Sequence, residues 1–467
     1  MNKKKNNGEV FTPNEIIEFM LDKTYNPKKM DYVLEPGCGD GRFIISILKR
    51  IIMEFNGNND IINNKISKIY GVELDTENFL TSIKNINDFL SNYLFIQSRP
   101  NILNADALLY GIHNDIKWSY IVGNPPYIRI HNLDSSYLSN LQKNYVYLKN
   151  GMVDLYYGFF ELHKNLEDNG VLCFITPSSY LYNTSGEFLF NDLYEKKLIN
   201  NIVDFTSEKM FENASTYTCV TTIQKNSKEL IYQKSDKTFN IYHEKKIEYN
   251  TKNNGFIDLI QDNNSNQTLF KEKYKVKTGF ATLSDKIFVI TNFIDNGDTI
   301  TFQKNGIEYT IEKNITKKCI KASKYNGNYH RVIFPYININ GVNKPIIEDD
   351  LRNNYPMTYD YMCEYKTKLL ERDKGKIDED KWFLWGRTQG INNTNGSKVV
   401  ISPMYLSNPF IYVEENVLVY SGYYIITDYF DEIFTNNVFI ESLNFVSKPM
   451  ASGWKSLQKK ILDNVYM

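Results

Sequence analysis

A short polar motif, NPPY at 124–127, directly follows an apolar run in the first half of the chain. The side-chain oxygen of Asn124 and the backbone carbonyl of Pro125 are acceptors that can bind the two hydrogens of one amino group. Proline fixes φ and lacks an N–H, so the carbonyls around it are held outward. Tyr127 offers a flat face on which a base can stack. Asn-Pro is also a common turn former, so the motif alone leaves a plain turn open.

Upstream, the segment VLEPGCGDGRF carries glycines at 37, 39 and 41 between an apolar run and a helical pattern. Glycine lets the backbone approach a ligand closely, and the start of the following helix offers free N–H groups. The spacing GxGxG differs from the GxGxxG of a dinucleotide site. Glu35 and Asp40 flank the glycines, and carboxylates suit a ligand with an ammonium or sulfonium group better than a pyrophosphate.

Two more acidic residues follow at positions where a nucleoside ligand would need them. Glu73 ends the next apolar run, and a carboxylate there can accept hydrogen bonds from both ribose hydroxyls of an adenosine. Asp106 precedes an apolar pair and can accept from the adenine amine. Taken alone, Glu73 is better explained as a solvated acid at a strand end, and Asp106 is better explained as a helix cap.

The elements that must position these residues alternate between strand and helix patterns. Short apolar runs (YVLEP, KIYGVEL, WSYIVG, VLCFITP) are separated by segments with helical spacing, among them DLYYGFFELHKNLEDNG with its stop at Gly170. This order predicts an α/β fold with a doubly wound, mostly parallel sheet, in which ligands bind beyond the carboxyl ends of the strands.

A polar, Asn- and Lys-rich stretch at 225–270 predicts a domain junction. We therefore expect one domain over 1–230 and a second, mixed or β-rich domain over 231–467, where short β-like runs such as DKIFVIT and KVVISPMY recur.

The 467 residues, with net charge −1, contain no apolar run of the ~20 residues that cross a bilayer and no secretory h-region. The five cysteines form no CxxC pair and the five histidines show no ligand spacing, so no metal site is expected.

The order of these segments resembles that of the gamma class of N6-adenine DNA methyltransferases, in particular the TaqI-like branch of bacterial restriction–modification systems. The segments are GEVFTP (8–13), VLEPGCGDGRF (33–43), YGVELD (70–75), NADALLY (104–110), IVGNPPY (121–127) and GVLCFITP (170–177). The resemblance covers residues 8–225 closely. It extends more loosely to VKTGFATLSDKIFVI (276–290) and WFLWGRTQG (382–390), which are similar to segments of the family's C-terminal target-recognition domain.

The resemblance implies a Rossmann-like class I methyltransferase that uses S-adenosyl-L-methionine. Thr12, Glu35, Gly37 and Gly39 then bind its methionine portion, Glu73 the ribose and Asp106 the adenine. Asn124 and Pro125 hold the target amine, while Tyr127 and Phe188 stack on the flipped-out adenine, which must leave the duplex to be reached.

The resemblance also implies the biological setting. Such an enzyme acts as a monomer on double-stranded DNA in the bacterial cytoplasm, at the nucleoid, and protects a site that a cognate restriction endonuclease cuts. Arg387 and Gln389 are candidate DNA contacts, because Arg pairs well with guanine and Gln with adenine. An ordinary structural turn with buried Trp382 and Trp385 explains these two residues equally well.

Three other functions stay open at this point. NPPY is shared with methyltransferases that act on RNA adenine or on protein glutamine, and the long second domain argues against them. A catalytically silent DNA-specificity subunit is the third, and the intact Glu73, Asp106 and NPPY motif argue against it.

Overall fold

A computed structural model describes residues 10–113, 115–149, 151, 153–211, 216–249, 255–261, 267–392, 395–414 and 416–467. The chain forms two compact units, 1–262 and 263–467. The expected boundary at residue 230 lies earlier, because the sheet of the first unit continues through two strands beyond it.

The first unit alternates strands and helices over most of its length. Its strands are β1 (Val33–Pro36), β2 (Ile69–Glu73), β3 (Asn101–Asn104), β4 (Trp118–Gly123), β5 (Leu166–Pro177), β6 (Ile199–Asp204), β7 (Thr218–Gln224), β8 (Glu229–Ser235) and β9 (Ile241–Glu248). Its helices are α1 (Asn14–Thr24), α2 (Arg42–Glu54), α3 (Asn59–Ile66), α4 (Thr76–Leu90), α5 (Ala107–His113), α6 (Ser135–Asn144), α7 (Tyr156–Phe160), α8 (Ser179–Tyr182), α9 (Glu187–Glu195) and α10 (Phe256–Ile260).

These strands form one sheet in the order β3-β2-β1-β4-β5-β7-β6-β8-β9. The pairs from β3 to β5 are parallel, and so is β6 with β8, whereas β7 runs antiparallel to both of its neighbours and β9 is antiparallel to β8. The prediction of a doubly wound, mostly parallel sheet is confirmed. Because β1 to β4 are parallel, the glycine-rich loop, Glu73, Asp106 and the NPPY motif all follow strands at the same edge of the sheet.

Local sequence explains the elements that carry the candidate site. All six residues of β4 are buried, as expected of a central strand covered on both faces. Helix α2 buries Phe43, Ile44 and Ile47, which follow the helical period, and Asp75 caps α4 by accepting from the N–H of Asn78 at 3.1 Å.

The segment before β5 differs from its prediction. The helical pattern was expected to run to Gly170, but helix α7 and a 3₁₀ turn end at Asn165, and β5 begins at Leu166. Leu166 pairs with Trp118 of β4, and a Cβ added at Gly170 would lie 2.6 Å from the Trp118 carbonyl. Gly170 therefore permits a close approach of two strands. In the sequence alone, a glycine at this position looks the same as one that ends a helix.

The second unit is mixed, as predicted, with short strands around helical segments. Its strands are β10 (Lys277–Thr278), β11 (Val289–Ile290), β12 (Ile294–Asp295), β13 (Thr299–Lys304), β14 (Ile307–Glu312), β15 (Thr316–Lys321), β16 (His330–Ile333), β17 (Tyr336–Ile339), β18 (Val342–Pro345), β19 (Lys398–Ile401), β20 (Met404–Tyr405), β21 (Phe410–Val413), β22 (Leu418–Tyr420), β23 (Tyr423–Ile426), β24 (Lys448–Pro449) and β25 (Lys455–Ser456). Its helices are α11 (Phe270–Lys273), α12 (Asp285–Phe288), α13 (Glu348–Asn354), α14 (Pro356–Cys363), α15 (Lys366–Leu370), α16 (Arg372–Gly375), α17 (Asn437–Val446) and α18 (Lys459–Asp463).

The strands of this unit form several small sheets, including the four-stranded order β10-β23-β19-β21 and the four-stranded order β11-β16-β15-β22. Residues 285–288, which read as part of a strand in the sequence, form helix α12. In the part of the chain that the structure describes, no helix has the length and apolar character needed to span a bilayer.

Candidate active site

The loops that follow β1, β2, β3 and β4 enclose one cavity of about 600 Å³. Eight residues predicted from the sequence line it, namely Thr12, Glu35, Gly37, Gly39, Glu73, Asp106, Asn124 and Pro125. The topology thus brings together residues that are far apart in the chain. The cavity is partly apolar and partly acidic, with Phe11, Leu74 and Phe159 among the apolar residues of its wall.

Asn124 presents one end of its amide to this cavity. Its Nδ2 donates to the Val10 carbonyl at 2.9 Å, and its buried Oδ1 has no hydrogen-bond partner among the described residues. Pro125, the next residue, is buried and also lines the cavity. A buried acceptor with no donor costs roughly 1–3 kcal/mol, which a ligand N–H would recover. The site is therefore suited to bind an amino group.

The glycine-rich loop is joined to Glu73 by a hydrogen bond across the cavity wall. The N–H of Gly39 donates to Oε2 of Glu73 at 2.8 Å, while Oε1 accepts from the N–H of Asp75, also at 2.8 Å. Gly37 and Gly39 have φ of +96° and +53°, conformations that favour glycine. A Cβ at Gly37 would meet no atom within 4 Å, so this stretch of loop borders open space that a ligand can fill.

Glu35 lies at the base of the cavity and is almost fully buried, with 2% of its surface exposed. Its Oε2 has no hydrogen-bond partner. Burial raises the pKa of Glu35 well above the ordinary value of 4.5, and the carboxylates of Asp40 and Glu73 raise it further. A cationic donor in the cavity would favour the ionised form and satisfy the unpaired oxygen.

The segment 10–13 crosses the cavity and is held at two points. Val10 accepts from Asn124, as described above, and the Thr12 carbonyl accepts from Nη1 of Arg42 at 3.0 Å. The Arg42 guanidinium also lies 5.3 Å from the centre of the Phe11 ring and forms an ion pair with Asp40 at 2.6 Å. Arg42 was not predicted, although its place directly after the glycines puts it in the first turn of α2. Gly8 and Glu9 of the GEVFTP segment lie outside the described residues.

Asp106 caps a helix and also lines the cavity. Its Oδ1 accepts from the N–H groups of Leu108 and Leu109 at 2.9 and 3.0 Å, so it caps helix α5. Its Oδ2 accepts from the Tyr137 hydroxyl at 2.6 Å and, with the rest of the side chain, lies on the cavity wall. Tyr137, in helix α6, lines the cavity too and was not predicted, because only the packing of α6 brings it near Asp106.

The two predicted stacking residues lie outside the set that lines the cavity. Tyr127 is half-buried: its hydroxyl donates to the Ile175 carbonyl at 3.3 Å, and its ring meets the edge of Tyr156 at 6.2 Å. Burial raises the pKa of Tyr127, which keeps the hydroxyl protonated. Phe188, at the start of α9, is 51% exposed and contacts the Tyr147 ring edge-on at 5.9 Å. An exposed aromatic ring in this unit has a free face for stacking.

The two DNA-contact candidates of the second unit differ in their surroundings. Arg387 is exposed and makes two hydrogen bonds of 3.2 Å to the carboxylate of Asp373. Gln389 donates to the Gly279 carbonyl at 2.9 Å and lines a cleft of about 720 Å³. Trp382 and Trp385 are buried, as expected if this segment is an ordinary structural turn.

The described residues contain no group of three or more His, Cys, Asp or Glu side chains arranged to hold a metal ion.

Comparison with known proteins gives a family match for the part of the first unit that contains Glu73, Asp106 and the NPPY motif. Residues 42–211 match the family model described as Eco57I restriction-modification methylase. Among curated proteins, the chain is 24% identical over 337 residues to the type II restriction enzyme and methyltransferase RM.Eco57I of Escherichia coli, a match that covers 64% of this chain and 34% of that protein. It is 21% identical to the type II methyltransferase M.BanIII of Aneurinibacillus aneurinilyticus, over 88% of this chain and 79% of that one.

Two solved structures share the fold over most of the chain. The type IIL restriction-modification enzyme MmeI, solved in complex with DNA, has a TM-score of 0.63 at 13% identity and covers 99% of this chain and 64% of that one. The DrdV–DNA complex has a TM-score of 0.55 at 14% identity, over 90% and 49%. Within residues 42–211 the chain is therefore similar to the Eco57I restriction-modification methylase family, and its first unit has a Rossmann-like fold.

Proposed function

We propose that the chain is a DNA methyltransferase of a restriction–modification system that transfers a methyl group to N6 of adenine. One observation carries the proposal: the unpaired, buried Oδ1 of Asn124 beside Pro125, in a cavity that Glu35, the glycine loop and Glu73 also line. The family match supports methyl transfer in a restriction–modification setting, and the acceptor pair supports an exocyclic amine as the target.

The methyl donor we propose is S-adenosyl-L-methionine, whose sulfonium supplies the transferable methyl group when it is bound. The acceptor groups of the cavity fit this ligand. Glu35 has an unpaired carboxylate oxygen for the ammonium group, and Glu73 and Asp106 are placed to accept from hydroxyl and amine groups. Thr12 and the glycine loop close the methionine end. The open space beside Gly37 accommodates the chain of the ligand.

Asn124 and Pro125 would act on the target amine directly. The lone pair of an aromatic amine is delocalised into the ring, which makes the nitrogen a poor nucleophile. Two acceptors that draw its hydrogens out of the ring plane return lone-pair density to the nitrogen. The contribution of the protein is then positioning and electrostatic stabilisation, with no covalent enzyme intermediate. An amide suffices at 124 because the nitrogen becomes acidic only once it is methylated.

The target base must leave the duplex to reach this site, at a cost of a few kcal/mol. Stacking on Tyr127 and Phe188, worth ~1–3 kcal/mol per base, would offset part of that cost.

The second unit would supply DNA recognition, with Arg387 and Gln389 as candidate contacts. The enzyme would then act as a monomer on chromosomal DNA in the bacterial cytoplasm, at sites that a cognate endonuclease cuts. Solved neighbours in complex with DNA support DNA as the substrate.

Tritiated methyl transfer tests the function as a whole. We expect incorporation into duplex DNA and none into RNA or protein, followed by recovery of N6-methyladenine on nucleoside digestion. Incorporation into RNA or a protein glutamine would contradict the substrate, and N4-methylcytosine would contradict the target base. DNA binding without any transfer would indicate a silent specificity subunit.

Base flipping has its own test. A duplex with 2-aminopurine at the target position should become more fluorescent when the wild-type protein binds, and less so with Tyr127→Ala. Equal responses from the two proteins would rule Tyr127 out as a stacking partner.

A further inference from the structure

The carboxylate of Asp106 is held by three donors before any ligand binds. Two backbone N–H groups occupy Oδ1, and the Tyr137 hydroxyl occupies one acceptor direction of Oδ2 at 2.6 Å. An ionised carboxylate has about four acceptor sites, two on each oxygen. Oδ2 therefore keeps one free acceptor site, and the Asp106 side chain that carries it lines the cavity.

Tyr137 itself is rigidly placed. It lies in the first turn of helix α6, which Asp134 caps by accepting from the N–H groups of Ser136 and Tyr137 at 2.9 and 3.1 Å. At the far end of the helix, the Tyr145 hydroxyl donates to the carbonyl of Leu108 in helix α5. Helix α6 is therefore tied to the Asp106 region at both ends, and the Tyr137 hydroxyl has a fixed direction.

The protonation state of Tyr137 supports this geometry. Burial, with the neighbouring Asp106 carboxylate, raises the pKa of Tyr137 above its ordinary range, which favours the protonated hydroxyl that donates to Asp106.

We propose that Tyr137 is a positioning residue that makes Asp106 selective for a 6-amino purine in the donor. With Tyr137 on one side, Oδ2 offers a single open acceptor to the cavity. A 6-amino group can donate a hydrogen bond to this acceptor, whereas the oxygen of a 6-oxo purine has no hydrogen to donate and would repel the carboxylate oxygen. This inference rests on the proposed function, since it concerns the nucleoside end of the same cavity.

Calorimetric binding of two ligands tests it: S-adenosylhomocysteine and its 6-oxo counterpart, S-inosylhomocysteine. The wild-type protein should bind the 6-amino ligand at least about tenfold more tightly. Tyr137→Phe should weaken S-adenosylhomocysteine about 5- to 10-fold, the loss expected for one misplaced hydrogen bond to a charged group, and change S-inosylhomocysteine less than twofold. In methyl transfer, KM for the donor should rise by a similar factor while kcat stays within about twofold.

The matched control is Tyr145→Phe, which removes a tyrosine hydroxyl that also bonds the α5 region but leaves Asp106 untouched. Its binding of both ligands should equal that of the wild type. A double variant, Asp106→Asn with Tyr137→Phe, should lose no more affinity than Asp106→Asn alone, because Tyr137 acts through Asp106.

The outcomes separate this inference from the function it rests on. A wild-type protein that binds neither ligand contradicts the proposed function. A wild-type protein that binds S-adenosylhomocysteine selectively, with Tyr137→Phe just as selective, overturns the role of Tyr137 alone. Equal losses for both ligands in Tyr137→Phe and Tyr145→Phe would mean that the hydroxyls only hold helix α6.

Discussion

The backbone carbonyl of Val10 accepts a 2.9 Å hydrogen bond from the side-chain amide of Asn124, a residue 114 positions further along the chain. The bond determines which end of the amide faces the cavity. Because the NH₂ group is engaged by Val10, the oxygen is the end left for a ligand, and it has no other partner. A segment remote in sequence thus orients the group at the centre of the proposed chemistry.

The first prediction follows for Asn124→Ala. Methyl transfer should fall at least about 100-fold, the usual cost of removing one group that acts on the reacting atoms, while the Kd for S-adenosylhomocysteine changes less than twofold. Tritium transfer and calorimetry measure the two quantities. Asn85→Ala is the control, since Asn85 likewise donates to a backbone carbonyl, that of Asp40 at 3.0 Å. Turnover retained by Asn124→Ala would contradict the assignment.

The second prediction concerns Arg42, which holds the segment 10–13 over the cavity. Arg42→Ala removes the donor to the Thr12 carbonyl and the cation above Phe11. The Kd for S-adenosylhomocysteine should rise about tenfold, and protease cleavage near the start of the chain should accelerate. Arg50→Ala is a matched change in the same helix, because Arg50 pairs with Glu18 and Asp22 instead. Equal effects from both variants would show that only helix α2 was disturbed.

The third prediction is a pH dependence that arises from Glu35. Since burial raises the pKa of Glu35 in the folded state, the folded protein keeps a proton that the unfolded chain has released. The stability that this proton supports is complete below the unfolded pKa, near 4.5, and is lost as the pH rises toward the folded value. Each tenfold difference in proton affinity corresponds to about 1.4 kcal/mol.

Urea unfolding of the ligand-free wild type and of Glu35→Gln from pH 5 to pH 8.5 measures this effect. The neutral amide has no such proton, so the variant should be more stable than the wild type by at least about 1 kcal/mol at pH 8, and the two should converge toward pH 5. Parallel curves across the range would contradict a raised pKa. The same variant should bind S-adenosylhomocysteine more weakly, because the ammonium group loses its carboxylate.

The fourth prediction concerns the cleft of the second unit that Gln389 lines. Lys286 and Lys368 lie on its wall, and within the described residues neither ammonium has an ion-pair or hydrogen-bond partner. If they contact phosphates, each lysine-to-alanine change should make the plot of log binding constant against log salt concentration less steep, by about 0.9 in slope for duplex DNA. Lys381→Ala is the control, since Lys381 pairs with Asp378 at 2.6 Å. Slopes unchanged in both cleft variants would exclude this surface from DNA binding.

Much of the candidate site was predictable because a parallel sheet gathers the ends of its strands. Once β1, β2 and β4 were identified as apolar runs, the glycine loop, Glu73 and Asn124 had to meet at one edge. The two explanations of Asp106, helix cap and cavity acceptor, proved compatible, since a carboxylate has two oxygens.

The rest depended on packing that single-sequence patterns do not contain. Tyr137 reaches Asp106 only because of how helix α6 lies against α5, and nothing near Tyr137 in the sequence marks it. The β8–β9 hairpin lies within the stretch 225–270, whose polar, Asn- and Lys-rich composition predicts a domain junction. In the structure, more buried and exposed residues alternate along β9, as in an outer strand with one covered face, and the first unit therefore extends beyond residue 230.

The thiol of Cys38 sits between the glycines at the base of the cavity, 3% exposed. Burial, together with Glu35 and Glu73, raises its pKa well above the ordinary value, so the reactive thiolate is suppressed. Of the five cysteines, Cys363 alone is not buried. A maleimide dye should therefore attach at Cys363 in the second unit while the cavity of the first unit stays chemically intact, which makes the native protein suitable for single-site fluorescent labelling without cysteine replacement.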